Sequence, residues 1–110
     1  MSELEHLDES NYKDTVEQHE LPILVDFYAE WCPPCRRLGP VLEDLAEELE
    51  GQLSIMKVDV QASQALASSL GVMNIPTMII YKDGEEVDRI VGGKGKNVLL
   101  RRLNPYLAEA

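Results

Sequence analysis

Between Leu21 and Ala29 the chain carries a nearly unbroken apolar run, opened by Pro22 and interrupted only by Asp26. Its length and its Ile23, Val25, Phe27 and Tyr28 suit a strand with both faces covered, the kind found in parallel sheets packed between helices. The run therefore predicts an α/β architecture with this strand near its middle.

The flanking segments extend that reading. Asp8 and Ser10 are both candidate N-caps for a helix ending near Gln18, with Leu7 and Val16 among its apolar contacts. Val41, Leu42, Leu45, Ala46 and Leu49 recur at helical spacing among Glu43, Glu47, Glu48 and Glu50, and Gly51 is placed to stop that helix. Leu53 to Val60 reads as the next strand, which makes strand, helix and strand a right-handed βαβ unit. Gln61 to Leu70 reads as helix, closed by Gly71. Thr77 to Lys82 and Glu86 to Val91 are strands around Asp83-Gly84, a strong hairpin signal. The tail from about Lys96 puts Val98, Leu99, Leu103, Tyr106 and Leu107 on one stripe, with Pro105 expected to kink or interrupt the helix. A mixed sheet follows, parallel in its first half and ending in an antiparallel hairpin, with helices on both faces.

At 110 residues and with no repeat or linker, the chain reads as one domain spanning 1–110. Ten basic against twenty acidic residues leave a net charge of -10. Such a surface repels phosphate backbones and anionic lipid, which argues against nucleic-acid and membrane partners, and it favours basic patches on partner proteins. No stretch approaches the roughly 18 apolar residues of a membrane span. The acidic start after Met1 lacks the features of a signal peptide, which points to the cytoplasm.

Two cysteines spaced C-x-x-C in a reducing compartment point to redox or metal chemistry. Trp31-Cys32-Pro33-Pro34-Cys35 stands between the first buried strand and the long helix, beyond a strand's carboxyl end, where α/β sheets carry their reaction sites. Pro33 and Pro34 fit a first helical turn, whose N–H groups have no intrahelical partner. Cys32 then falls near the N-cap and Cys35 one turn inside, close enough for a short disulfide. The partial positive charge of the helix start, with Arg36 and Arg37 close by, favours a thiolate at Cys32. Cys32 is the candidate nucleophile and Cys35 the residue that resolves a mixed disulfide. A zinc site is the competing reading, but only His6 and His19 could complete it and neither lies at finger-like spacing, so no metal is assigned.

Asp26 places a carboxyl group inside a core strand, where burial raises its pKa, and Lys57 interrupts the neighbouring strand in the same manner. Two readings stand for this pair: a proton acceptor for Cys35 tuned by Lys57, or a structural ion pair or partly wet strand end. Pro76, just ahead of an apolar strand, marks an edge, a turn or a cis bond. The stretch Gly92-Gly93-Lys94-Gly95-Lys96 lacks the spacing of a phosphate loop and reads as a turn.

Leu24 through Cys32, then Pro34-Cys35, Pro40, Lys57-Val58-Asp59, Ile75-Pro76-Thr77, Asp83-Gly84 and Val91-Gly92 resemble the thioredoxin family in order and spacing, over nearly the whole chain. The resemblance implies the thioredoxin fold, a central mixed five-stranded sheet flanked by four helices, with a cis bond between Ile75 and Pro76. It implies a substrate groove along Trp31, Pro33, Pro34, Ile75, Pro76, Val91 and Gly92, and it favours Asp26 as a buried acid assisting Cys35. It implies protein-disulfide reduction by a monomer through a Cys32/Cys35 redox-active disulfide, without a cofactor of its own. Recharging would come from a thioredoxin reductase that carries the flavin and nicotinamide. One departure stands out: members of the family typically have glycine where this chain has Pro33. Two alternatives remain open beside the reductase. One is a more oxidising or dedicated dithiol protein, since the family's potentials span about 150 mV. The other is a binding or assembly subunit with incidental thiols.

Overall fold

A computed structural model describes residues 4–109. Five strands form one mixed sheet: β1 (Glu5–His6), β2 (Ile23–Tyr28), β3 (Ser54–Asp59), β4 (Thr77–Lys82) and β5 (Glu85–Val91), in the spatial order β1-β3-β2-β4-β5. The β1·β3 and β2·β3 pairs are parallel, and β2·β4 and β4·β5 antiparallel. The apolar run thus forms the central strand, and every residue of β2 except half-buried Tyr28 is buried.

Because side chains alternate along a strand, β2 feeds two separate cores. Leu24 joins Ile55, Met78, Ile80 and Ile90 beneath α2 (Pro33–Glu48) and α4 (Lys96–Leu103), which contribute Leu38, Leu42, Leu45, Leu99 and Leu103. Ile23, Val25 and Phe27 face the other way, against Tyr12 and Val16 of α1 (Tyr12–Gln18) and Ala67 of α3 (Gln64–Ser69). Four helices therefore flank the sheet on both faces. Asp26 and Tyr28 share the parity of Leu24, and Lys57 that of Ile55, so all three belong to the face covered by α2.

The structure adjusts several expected boundaries. β1 pairs through its backbone, with Glu5 opposite Met56 and His6 opposite Lys57, and both of its residues are exposed. The N-cap of α1 is Asn11 rather than Asp8 or Ser10. Asp8 instead accepts from the backbone N–H and hydroxyl of Ser10, and its own N–H donates to Asn11 Oδ1. That local turn delays the helix. α3 begins at Gln64 rather than Gln61, since Asp59 Oδ1 takes the Gln61 N–H and holds a turn first. Asp83 and Gly84 both have positive φ (54° and 81°), the conformation that lets a two-residue turn follow the twist of β4 and β5. Pro105 interrupts the last helix as expected: α4 stops at Leu103 and a 3₁₀ turn covers Asn104–Tyr106. Among the described residues no helix is long and apolar enough to cross a membrane.

Candidate active site

The end of β2 leads through Ala29, Glu30 and Trp31 into the first turn of α2. Cys32 is the N-cap of that helix, in an extended conformation (φ -88°, ψ 110°), with Pro33 and Pro34 in its first two positions. A residue ahead of proline is held out of the α region, so the sequence itself fixes Cys32 as a cap. Cys32 and Cys35 are joined by a disulfide across this turn, their Cα atoms 5.2 Å apart. The Cys35 N–H points at Cys32 Sγ, 3.3 Å away. Neither proline has an N–H, so this is the one amide that the first three helical residues can offer the sulfur. The Arg36 N–H is already bonded to the Cys32 carbonyl at 3.0 Å.

Both cysteines are buried, Cys32 at 3% and Cys35 at 5% exposure, in a small cluster with Ala29 that Tyr28, Val60 and Ile75 border. Sequence order places Cys35 deeper along the helix, yet in the disulfide-bonded state the two are covered alike. Trp31 next to them is 61% exposed.

The Ile75–Pro76 peptide bond is cis. The Ile75 carbonyl oxygen lies 3.9 Å from Cys32 Sγ, and the Pro76 carbonyl accepts the Gly92 N–H at 2.8 Å. Gly92 has φ 91°, a conformation few residues other than glycine adopt, and it ends β5 beside the half-exposed Val91. The Gly92–Pro76 bond thus ties the end of β5 to the loop whose Ile75 carbonyl faces Cys32. Met73, two residues before Ile75, is an apolar side chain 89% exposed that the sequence pattern did not single out. The available signal was a methionine in a short loop, outside any periodic segment.

Asp26 lies inside, at 0% exposure, and neither carboxylate oxygen has a hydrogen-bond partner. Loss of solvent pushes its pKa up to about 7, against an opposing pull from the Lys57 charge. Asp26 and Lys57 are register partners on β2 and β3. Even so, they form no direct ion pair: Lys57 Nζ lies over the Tyr28 ring, 4.3 Å from its centre, a cation–π contact. His6 meets the same ring edge-on at 6.2 Å. His6, Tyr28, Glu30, Arg36 and Lys57 line a cleft of about 570 Å³ that reaches Cys35.

His6 and His19 stay apart from any metal-like arrangement. His19 Nε2 bonds Ser54 Oγ at 2.7 Å, and among the described residues no three His, Cys, Asp or Glu side chains converge.

A disulfide closing the first turn of a helix, set beyond the carboxyl end of the central strand of a mixed sheet, is the machinery of a thiol-disulfide oxidoreductase. Comparison with known proteins gives that class a narrower address. The family model described as Thioredoxin matches residues 3–105. Thioredoxin of Mycolicibacterium smegmatis is 53% identical over 88 residues, 78% of this chain and 79% of that protein. Thioredoxin 1 of Nostoc sp. is 37% identical over 107 residues, 97% of this chain and all of that protein. A bifunctional thioredoxin reductase/thioredoxin of Mycobacterium leprae is 45% identical over 101 residues, 92% of this chain but 22% of that larger protein. The chain belongs to the thioredoxin family, and its activity is protein-disulfide reduction.

Proposed function

We propose that Cys32 is the attacking sulfur and Cys35 the resolving one, with Asp26 receiving the Cys35 proton. In the reduced protein the Cys32 thiolate attacks one sulfur of a substrate disulfide, and the other substrate sulfur leaves as a thiolate. Cys35 then gives its proton to the Asp26 carboxylate and attacks Cys32 Sγ. This releases the second substrate sulfur and closes the Cys32–Cys35 disulfide. Two electrons pass from the dithiol to the substrate, and no cofactor is needed on this chain.

The observation that carries this assignment is the placement of Cys32 at the N-cap of α2, where its sulfur receives the Cys35 N–H. A helix start favours the anionic form of sulfur. An acid with a pKa of about 7 suits Asp26 to exchange a proton near neutrality. Lys57 tunes it at a distance, through its charge rather than through contact.

Trp31, Pro33, Pro34, Ile75, Pro76, Val91 and Gly92 form the surface on which the substrate segment lies, and Met73 extends its apolar rim. The chain acts as a single-domain monomer in the cytoplasm. It is returned to the dithiol state by a thioredoxin reductase that carries the flavin and nicotinamide. The fusion of those two names in the Mycobacterium leprae relative supports that pairing. The test is reduction of insulin disulfides by the reduced protein. Cys32→Ser should abolish turnover, whereas turnover undiminished in that variant removes the mechanism.

A further inference from the structure

The chain has ten cationic side chains against twenty acidic ones. Among the described residues, Lys13, Arg89, Lys96 and Arg102 each meet a carboxylate. Arg36, Arg37, Lys57, Lys82, Lys94 and Arg101 do not, and four of these six, Arg36, Arg37, Lys57 and Lys94, line clefts on either side of the first turn of α2. Four of the six unpaired cations among the described residues thus border the turn that carries the disulfide.

The two sides of the turn differ. Toward β1, Arg36 and Lys57 share their cleft with Glu30, and the Glu30 and Asp59 charges bear on Tyr28 there. Toward α4, Arg37 and Lys94 line a groove of about 350 Å³ with Pro34, Leu38, Val41, Gly93 and Gly95, and no acidic side chain borders it. Lys94 is held in place: its ammonium donates to the Val91 carbonyl at 3.0 Å and stands 3.3 Å from where a Cβ on Gly92 would lie. A fixed cation therefore edges the Val91–Gly92 side of the candidate substrate surface.

We propose that the Arg37–Lys94 groove is a docking subsite for acidic side chains that flank the disulfide of a partner protein. The proposal deepens the reductase reading and rests on its placement of the substrate segment along Trp31, Ile75 and Val91. Overall charge argues the other way, since -10 repels acidic segments and attracts basic ones. At physiological salt, however, the screening length is about 8 Å, so a bound segment feels the two cations that line the groove more than charges farther away.

The sign of the preference is the test. Two cysteine-free, tryptophan-free peptides share one apolar centre and carry either glutamates or lysines on both flanks. Each is titrated into the oxidised full chain at 0.15 M salt. Trp31 is the sole tryptophan and is exposed next to Cys32 on the candidate substrate surface, so its fluorescence reports binding. The glutamate peptide should bind about tenfold tighter, the yield of two exposed ion pairs near the top of their range. The preference should collapse at 1 M salt, vanish in R37Q/K94Q and reverse in R37E/K94E. Tighter or equal binding of the lysine peptide to the unaltered chain overturns the proposal. So does a glutamate preference that survives R37Q/K94Q, or binding of neither peptide. Neither peptide can be reduced, so this outcome is read independently of the insulin result that tests the reductase reading.

Discussion

Replacing Asp26 with asparagine in the oxidised protein should change stability by an amount set by pH. The carboxyl group is fully buried with both oxygens unpartnered, and its pKa stands at about 7 against an ordinary 3.8. At about 1.4 kcal/mol per pKa unit, that elevation corresponds to roughly 4 kcal/mol. The sign follows from proton binding. Below pH 3.8 the group is neutral in folded and unfolded chains alike and carries no penalty. From pH 3.8 to about 7 the unfolded chain ionises while the folded one keeps its proton, so wild-type stability falls with rising pH. Above about 7 the folded protein ionises too, and the loss levels off. An asparagine has nearly the same shape and cannot ionise. The variant should therefore match the wild type within about 1 kcal/mol at pH 3.5 and exceed it by up to about 4 kcal/mol at pH 9. Urea unfolding of both proteins across that range measures the difference, and other titrating groups cancel in the subtraction. A difference that stays constant with pH refutes the reasoning.

Two further outcomes follow from the same packing. Lys57→Met removes the charge that opposes desolvation, so the Asp26 midpoint should move above 7, seen as an upward displacement of its carboxyl carbon titration by NMR; an unmoved midpoint would mean that Lys57 exerts no field there. Tyr12→Phe removes the buried bond between the Tyr12 and Tyr81 hydroxyls, 2.6 Å apart, and should cost about 1 kcal/mol in urea unfolding. The cost should disappear when the same change is made in a Tyr81→Phe background.

Much of this fold was legible because separate signals agreed. The apolar run through β2, the leucine spacing of α2 and the Asp83-Gly84 turn each specify one local structure, and together they leave few topologies. β1 was not legible from the residues, because two exposed residues have no periodicity and are held only by backbone pairing with β3. The start of α1 was ambiguous for a different reason. Asp8, Ser10 and Asn11 can all cap, and the choice depends on which one folds into the preceding turn. At the site, the C-x-x-C spacing and the two prolines between the cysteines fixed the cap position of Cys32. The placement of the Lys57 ammonium was not fixed, since the register sets both Asp26 and the Tyr28 ring within its reach. The position of four unpaired cations beside the disulfide turn was equally hidden: sequence lists charges, but only folding decides which find partners.

The ionisation of Cys32 in the reduced protein tests the central claim most directly. Thiolate absorbance, followed as pH is varied and assigned by comparison with a Cys35→Ser variant, gives its pKa. A value at least one unit below the ordinary thiol value of about 8.5 is the outcome that the N-cap position and the Cys35 amide require. A value of 8.5 or higher would contradict the account, because the helix start would then confer no nucleophilic character on that sulfur.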